Sequence, residues 1–179
     1  TGISFLMRFF VFNIVPTLFE IAMVVGILLF NYGISFAVIT LVSVLAYGIF
    51  SLRATQWRTQ FVREMNEADS ASNTRAGDSL LNFETVKYFG NEDHEAERYA
   101  RSMEVYERAA TKTGVSLAVL NAGQAAIFSV GLTVCMAMSA YAVSRGQATV
   151  GDLVMINALM IQLYMPLNFI GSSYREIKQ

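Results

Sequence analysis

Amide, arginine and tyrosine side chains interrupt the apolar stretches of this 179-residue chain at helical spacings. Asn121 and Gln124 are three residues apart, and Tyr47 and Arg58 are eleven apart, so each pair would lie close to one face of a helix. A third row at helical spacing consists of Tyr164, Asn168, Ser172 and Arg175. Arginines suit bidentate binding of carboxylates, and amides inside a membrane need a polar partner or a water-filled cavity. This chemistry would suit binding of an amphipathic, anionic, peptide-like ligand.

The same residues also have a purely structural interpretation. Asn121 and Gln124 could hold neighbouring helices together, and the arginines could extend along the helices to lipid headgroups. The residue types and their spacing leave both interpretations open.

The composition indicates an integral membrane protein. The chain is 54% hydrophobic and only 15% charged, with a mean hydropathy of +0.44, which is too apolar for an ordinary soluble domain. Residues 9–30 contain a single charged residue, Glu20, and residues 34–50, 115–143 and 153–174 contain none. Four such segments, each close to the length that spans a bilayer, predict four transmembrane helices.

The basic residues predict the orientation in the membrane. Nine of the 13 Lys and Arg residues lie between Arg53 and Lys112, whereas the two tight turns near residues 31–33 and 145–149 have almost none. Because Lys and Arg accumulate on the cytoplasmic side, we expect the long middle segment and both chain ends to lie inside. In a mitochondrial membrane the same segment and chain ends would face the matrix.

The two helices that lead into and out of this middle segment are predicted to be unusually long. A helical pattern runs for about 45 residues from Ile34, and a return helix extends from about Glu92 to Ser144. They meet at an apolar tip, which we expect to dock on a protein partner, although it could simply cover its own hairpin. The candidate docking residues are Leu80, Leu81, Asn82, Phe83, Glu84, Val86, Tyr88 and Phe89.

Depth along the predicted helices brings the polar rows together. At about 1.5 Å per residue from the outer turns, Arg58 lies about 35 Å down and Asn121 with Gln124 about 31–36 Å. Residues 168–175 lie about 29–39 Å down by the same count. All would converge at the inner edge of the membrane, where a ligand would meet them.

Four sequence segments carry a resemblance to a known family. Asp78–Glu92 reads DSLLNFETVKYFGNE, Leu120–Gln124 reads LNAGQ, and the last stretch contains QLYMPLNFIG and YREIKQ. Together they resemble the transmembrane domain of ABC exporters of the mitochondrial iron–sulfur export type and of their bacterial heavy-metal relatives. The resemblance implies an all-α fragment of a type I exporter (type IV) fold, residues 1–179, holding helices three to six of six with cytoplasmic extensions. Helices one and two and the nucleotide-binding domain are then expected to be missing.

The resemblance also implies roles for particular residues. Glutathione-type ligands would be bound by Asn121 and Gln124, by positions near 168–172 and by the arginine of the fourth helix. The resulting candidate ligand residues are Tyr47, Arg58, Asn121, Gln124, Asn168, Phe169, Ser172 and Arg175. The tip would hold the second coupling helix, which docks on the nucleotide-binding domain of the other subunit in a domain-swapped dimer.

One position departs from the family pattern. The relatives usually carry a second arginine four residues after the first. Here the first is Arg58, the position of the second is occupied by Val62, and Gln60 stands where another arginine is frequent. Arg63 is adjacent but lies about 100° around the helix. The charge preference of the ligand site is therefore open.

No catalytic or metal-binding motif is evident. A phosphate loop of the form GxxxxGK[ST] is absent from the sequence, so ATP and Mg²⁺ would belong to a separate nucleotide-binding domain and this chain alone would not be an enzyme. Cys135 is interpreted as a small residue that faces lipid or the core, and His94 as part of a solvated first helical turn. Glu20, one turn after Pro16, could bind a proton or a cation, or it could be a buried carboxyl that is kept neutral or paired with another helix.

The predicted function is the membrane-spanning part of an ATP-driven exporter. The expected cargo is glutathione disulfide, a glutathione–metal conjugate or a related sulfur species, and the expected partners are a second, homodimeric subunit, nucleotide-binding domains and the lipid bilayer, not nucleic acid. A lipid or multidrug exporter of the same fold remains an alternative, as does a non-transporting membrane scaffold or receptor. The expected membrane is a bacterial inner membrane, with the mitochondrial inner membrane as the other possibility.

Overall fold

The computed structural model describes the backbone of residues 10–178 and the side chains of residues 11–12 and 14–168. A π-helical turn, Phe10–Ile14, leads into α1, Val15–Tyr32. Helix α2 is Ile34–Leu81, the short α3 is Phe83–Tyr88, α4 is Glu92–Ser144 and α5 is Val150–Lys178. Within these described residues there is no β-strand, so the prediction of an all-α fold is confirmed.

Four of these helices are long and apolar enough to cross a membrane, namely α1, α2, α4 and residues Val150–Asn168 of α5. The prediction of four transmembrane helices is therefore confirmed. Helices α2 and α4 have 48 and 53 residues, so the prediction of two unusually long helices is also confirmed. A single residue, Gly33, joins α1 to α2 at a φ of +92°, a backbone conformation that glycine adopts without steric strain.

The described residues form two compact units, each treated separately below. The first unit contains the residues up to Leu52 together with residues 122–178, and the second contains Arg53–Asn121. The first unit therefore holds α1, α5 and the apolar parts of α2 and α4. The second holds the charged parts of α2 and α4 with the short helix α3 between them.

Apolar side chains from all four of its helices build the core of the first unit. The buried members are Val24, Leu28, Phe36, Tyr47, Cys135, Ile156, Leu159, Met160, Leu163 and Leu167. Polar groups cross this core in pairs: the Thr40 hydroxyl donates to Met160 Sδ over 3.3 Å, and Asn157 Nδ2 donates to Met136 Sδ over 3.2 Å. Each pair joins two different helices, so the polar groups stabilise helix contacts.

The outer ends of α1 and α5 are joined by a hydrogen bond. The Tyr32 hydroxyl donates to Asp152 Oδ1 over 3.2 Å. Asp152 also accepts from the backbone N–H and hydroxyl of Thr149 at 2.7 and 2.8 Å, while its own N–H donates to Thr149 Oγ1. This reciprocal arrangement is a capping box, and it fixes where α5 begins.

Small residues allow α2 and α4 to approach closely in the first unit. A Cβ built on Gly131 would lie 2.9 Å from Ser43 Cβ and closer still to Ser43 Oγ, and a Cβ on Gly123 would overlap the ring of Phe50. Close approach at glycine is the usual way in which membrane helices gain packing contacts without a hydrophobic driving force.

In the second unit, hydrogen bonds join the charged parts of α2 and α4. Thr113 Oγ1 donates to the backbone oxygen of Phe61 over 2.9 Å, and Ser72 Oγ donates to Met103 Sδ over 3.0 Å. The side chains of Ser72, Ser102, Ala109, Thr113 and Ser116 are all buried. Small side chains thus form the contact between the two helices of this hairpin.

The helix contact at Gly131 gives a stability prediction. We expect Gly131→Ala to destabilise the protein by about 1–3 kcal/mol, because the new methyl group meets the rigid Cβ of Ser43. Gly114→Ala on the same helix is the matched control, since no atom lies within 4 Å of its built Cβ, and it should be neutral or stabilising by up to about 1 kcal/mol. Thermal unfolding of the purified protein in detergent measures both, and equal midpoints for the two variants would contradict the packing argument.

Candidate functional site

Gln124 makes a buried contact between α4 and α2 in the first unit. Its Nε2 donates to Ser51 Oγ over 2.7 Å, and the Gln124 side chain is only 3% exposed. Ser51 lies one helical turn after Tyr47, which is also buried, at 3% exposure. Tyr47 and Gln124, which were predicted separately as ligand residues, are therefore both parts of the interior of this unit.

Asn121 is exposed, unlike Gln124 three residues later on the same helix. The sequence spacing predicted a common polar face for the two amides. Three residues of α-helix rotate by about 300°, which leaves the two side chains about 60° apart. That angle is enough for Gln124 to reach Ser51 while Asn121 faces outward.

Arg58 occupies a buried face of α2 in the second unit. Its side chain is 8% exposed, and Thr55 and Val62 on the same face are 4% and 7% exposed. The position at which the resemblance predicted a second arginine is therefore an apolar, buried one. An arginine there would need a polar partner within this face, and valine does not.

The polar row of α5 is described only in part. Asn168 is exposed, and the half-buried ring of Tyr164 packs against Phe128 of α4 with ring centroids 4.7 Å apart. The side chains of Phe169, Ser172 and Arg175 lie outside the described residues. Among the candidate ligand residues, Asn121 and Asn168 are thus the two described amides that are open to a ligand.

The apolar tip of the second unit is strongly exposed. Helix α3 occupies Phe83–Tyr88, flanked by the exposed side chains of Leu81 and Phe89. The exposed fractions of the large apolar residues are 75% for Leu80, 86% for Leu81, 58% for Phe83, 85% for Tyr88 and 68% for Phe89. Apolar side chains that merely covered their own hairpin would be buried, so this surface favours the docking interpretation.

Polar contacts hold the base of the tip in place. Ser79 Oγ donates to Glu95 Oε2 over 2.6 Å and thereby joins α2 to α4. Lys87 of α3 donates to Glu92 Oε1 over 2.7 Å, and this hydrogen bond raises the pKa of Lys87 above its ordinary value. These contacts join α2 and α3 to the start of α4.

Two further polar residues were not singled out from the sequence. Ser51 is the buried acceptor for Gln124, and Gln162 Nε2 donates to Glu20 Oε1 over 2.9 Å, joining α5 to α1. A signal for Ser51 was its position one turn after Tyr47. For Gln162 the signal was an amide within an uncharged stretch, six residues before Asn168.

Comparison with known families gives one family match. A sequence model of the ABC transporter transmembrane region matches residues 2–167 of the chain. This range includes α1, α2, α4, the whole of the tip and α5 as far as Leu167.

Relatives and a solved structure extend the match along the chain. The chain is 54% identical over 178 residues to an iron–sulfur clusters transporter, ABCB7, of Danio rerio, and 51% identical to the ATM1 transporter of Debaryomyces hansenii; both are named as mitochondrial. These alignments cover 99% of this chain and 24% and 26% of the relatives, so the chain spans about a quarter of their length. A bacterial Atm1-family ABC exporter with ATP bound superposes with a TM-score of 0.87 at 42% identity, covering 99% of this chain and 31% of that one.

The contact between Gln124 and Ser51 gives a prediction for a double-mutant cycle. Gln124→Ala and Ser51→Ala should each destabilise the protein, and the double variant should cost less than the sum of the two single effects, because both remove the same bond. The expected coupling is about 0.6 kcal/mol and at most about 1.7 kcal/mol. Asn121→Ala is the control amide: being exposed, it should change stability by less than about 0.5 kcal/mol. Fully additive effects in thermal unfolding would contradict the contact.

Proposed function

We propose that this chain, which belongs to the ABC transporter transmembrane-region family, is the membrane part of an exporter of glutathione-linked sulfur or metal species. The family membership and the four membrane-length helices make it a multi-pass integral membrane protein. The observation that carries the proposal is the identity of 49–54% along 178 residues to transporters named for iron–sulfur clusters.

The exposed amides support a peptide-like cargo. Asn121 and Asn168 are open side chains on two membrane-length helices, and each can donate and accept hydrogen bonds to peptide groups. Counted along its own helix, each amide lies about 27–35 Å from the outer helix end, at the inner membrane edge, where cargo can reach it in the assembled protein. A glutathione-type peptide offers carboxylate, amide and ammonium groups to an amide in this position.

Gln124 has a different role in this proposal from the one its motif suggested. Its amide is held by Ser51 with 3% exposure, so it sets the packing of α4 against α2 beside the site. It would influence cargo binding by positioning the helix that carries Asn121. Direct contact with cargo would require the bond to Ser51 to open.

Energy would reach this region through the tip. We expect nucleotide-binding domains, with ATP and Mg²⁺ bound there and not to this chain, to grip α3 and its exposed neighbours in a dimer of two subunits. Because α2 and α4 are continuous helices that run from the tip into the apolar segments, movement of the tip would be transmitted along them and switch access between the two sides.

The cargo proposal is tested by ATPase activity of the complete transporter in lipid, titrated with glutathione disulfide. Wild type should show saturable stimulation, and Asn121→Ala should raise the half-stimulating concentration by about tenfold, the loss of one or two hydrogen bonds in a desolvated site. Gln124→Ala and Ser51→Ala should resemble each other, because both remove the same helix contact.

Three outcomes contradict these expectations. Absence of stimulation in wild type, together with stimulation by neutral apolar compounds, would favour the lipid or multidrug alternative. Stimulation that survives Asn121→Ala unchanged would remove Asn121 from the site. A much larger effect of Gln124→Ala than of Ser51→Ala would return Gln124 to direct cargo contact.

The tip proposal is tested by surface substitutions. Phe83→Ser with Tyr88→Ser should uncouple the transporter, lowering cargo-stimulated ATPase and transport by about tenfold or more, because exposed aromatic anchors carry most of the energy of an interface. Val105→Ser is the matched control: it removes an apolar side chain of the same unit that is 61% exposed and lies away from the tip. Unchanged coupling in the tip variant at normal expression would refute the docking role.

A further inference from the structure

A carboxyl group and an amide meet near the middle of the membrane in the first unit. Gln162 Nε2 of α5 donates to Glu20 Oε1 of α1 over 2.9 Å. Glu20 lies twelve residues before Tyr32, where α1 ends, and Gln162 twelve residues after Val150, where α5 begins. At 1.5 Å per residue each lies about 18 Å from the outer end of its helix. The hydrocarbon layer is about 30 Å thick, so the pair lies far from both membrane surfaces.

The carboxyl group of this pair has no partner cation among the described residues. The four ion pairs of the described part of the chain all lie between residues 63 and 108. The donor from Gln162 is neutral, and no described residue donates a bond to the second oxygen of Glu20. A carboxylate in this situation is costly in a membrane unless a cation or a further hydrogen-bond donor reaches it.

Gln162 also lines an open groove on the surface of α5. Glu20 is half-buried and Gln162 is exposed. Gln162 forms one end of a groove of about 480 Å³ along α5, whose other lining residues are Leu153, Val154, Asn157, Ala158 and Ile161. Glu20 is not among the lining residues, so a ligand group in this groove would meet the exposed Gln162 side chain first.

The available acceptors define the chemistry of the ligand. The second carboxyl oxygen of Glu20 accepts no bond from a described residue, and the amide oxygen of Gln162 remains an acceptor while its nitrogen is engaged. A carboxylate beside an amide oxygen suits a group that carries positive charge and several N–H donors. A primary ammonium group has both.

We propose that Glu20 and Gln162 form a subsite for a primary ammonium group, namely that of the transported peptide-like cargo. This inference rests on the proposed function, because the glutathione-type cargo supplies the ammonium group. Asn168, an exposed amide further along α5, lies six residues inward of Gln162, about 9 Å of helix rise and about 120° around the helix. The ammonium contact at Glu20 therefore does not depend on a simultaneous contact at Asn168.

The subsite would select for cargo that retains its amino group. A desolvated ammonium–carboxylate contact contributes through charge-assisted hydrogen bonds, which are stronger than neutral ones. Cargo that lacks the amino group would leave the second carboxyl oxygen of Glu20 without a hydrogen-bond donor, and its binding would be weaker for that reason. The site would therefore bind the amino form more tightly than the desamino form.

The experiment compares glutathione disulfide with its desamino analogue as stimulators of the complete transporter in lipid. Wild type should prefer the amino form by about tenfold to a hundredfold in half-stimulating concentration. Glu20→Gln keeps the side-chain shape and an acceptor for Gln162 but removes the charge, and it should bring the two compounds within about threefold of each other. Glu20→Asp retains the charge and should keep part of the preference.

Two controls separate recognition of the ammonium group from effects on folding. Asn31→Ala removes an exposed amide of α1 that bonds only its own helix, at the backbone oxygen of Ile27, and it should leave the preference unchanged. Thermal unfolding of Glu20→Gln within a few degrees of wild type shows that the helices still pack. If that variant fails to fold, Gln162→Ala, which retains the charge and one acceptor, should weaken the preference without abolishing it.

Equal stimulation of wild type by the two compounds would overturn the subsite and leave the proposed function intact. Absence of stimulation by either compound would overturn the proposed function as well. Loss of stimulation on exchange of sodium and potassium for N-methylglucamine, in wild type but not in Glu20→Gln, would assign the carboxylate to a free alkali ion and overturn the ammonium assignment.

Discussion

The structure of this chain depends on one constraint: a polar group inside a membrane must find its partner within the protein. The backbone meets this requirement by forming helices, which satisfy their own N–H and C=O groups. Polar side chains meet it by pairing between helices, as Gln124 does with Ser51 and Glu20 with Gln162. These polar pairs of the first unit thus lie at contacts between its helices, in addition to the apolar core.

The same constraint separates structural from ligand-binding amides. An amide with a partner, such as Gln124 at 3% exposure, adds to helix packing and has little left to offer a ligand. Amides that are open, such as Asn121 and Asn168, must be covered in the assembled protein by water, cargo or another helix. Exposure therefore divides a set of residues that motif and spacing had grouped together.

The second unit follows the rules of a water-exposed hairpin. Its helix contact is built from small buried residues such as Ser72 and Thr113, and its ion pairs lie on the surface. Surface ion pairs of this kind contribute little to stability. The apolar side chains that would normally form a core are instead exposed at the tip, around Leu81 and Tyr88. Because these apolar side chains are exposed and not buried, the tip is a candidate docking surface.

The sequence by itself determined the fold class, the four membrane helices, the long extensions and the exposed apolar tip. These follow from hydropathy, helical periodicity and the positions of glycine and charged residues, which act locally along the chain. The family was also recognisable from short motifs such as LNAGQ.

Only the tertiary structure decided the partners of the polar residues. Helical spacing fixes the direction of a side chain to within about 60°, which left Gln124 and Asn121 on a single predicted face. The pairing of Gln124 with Ser51 and of Glu20 with Gln162 joins residues 73 and 142 positions apart, and only the packing of helices brings them within bonding distance.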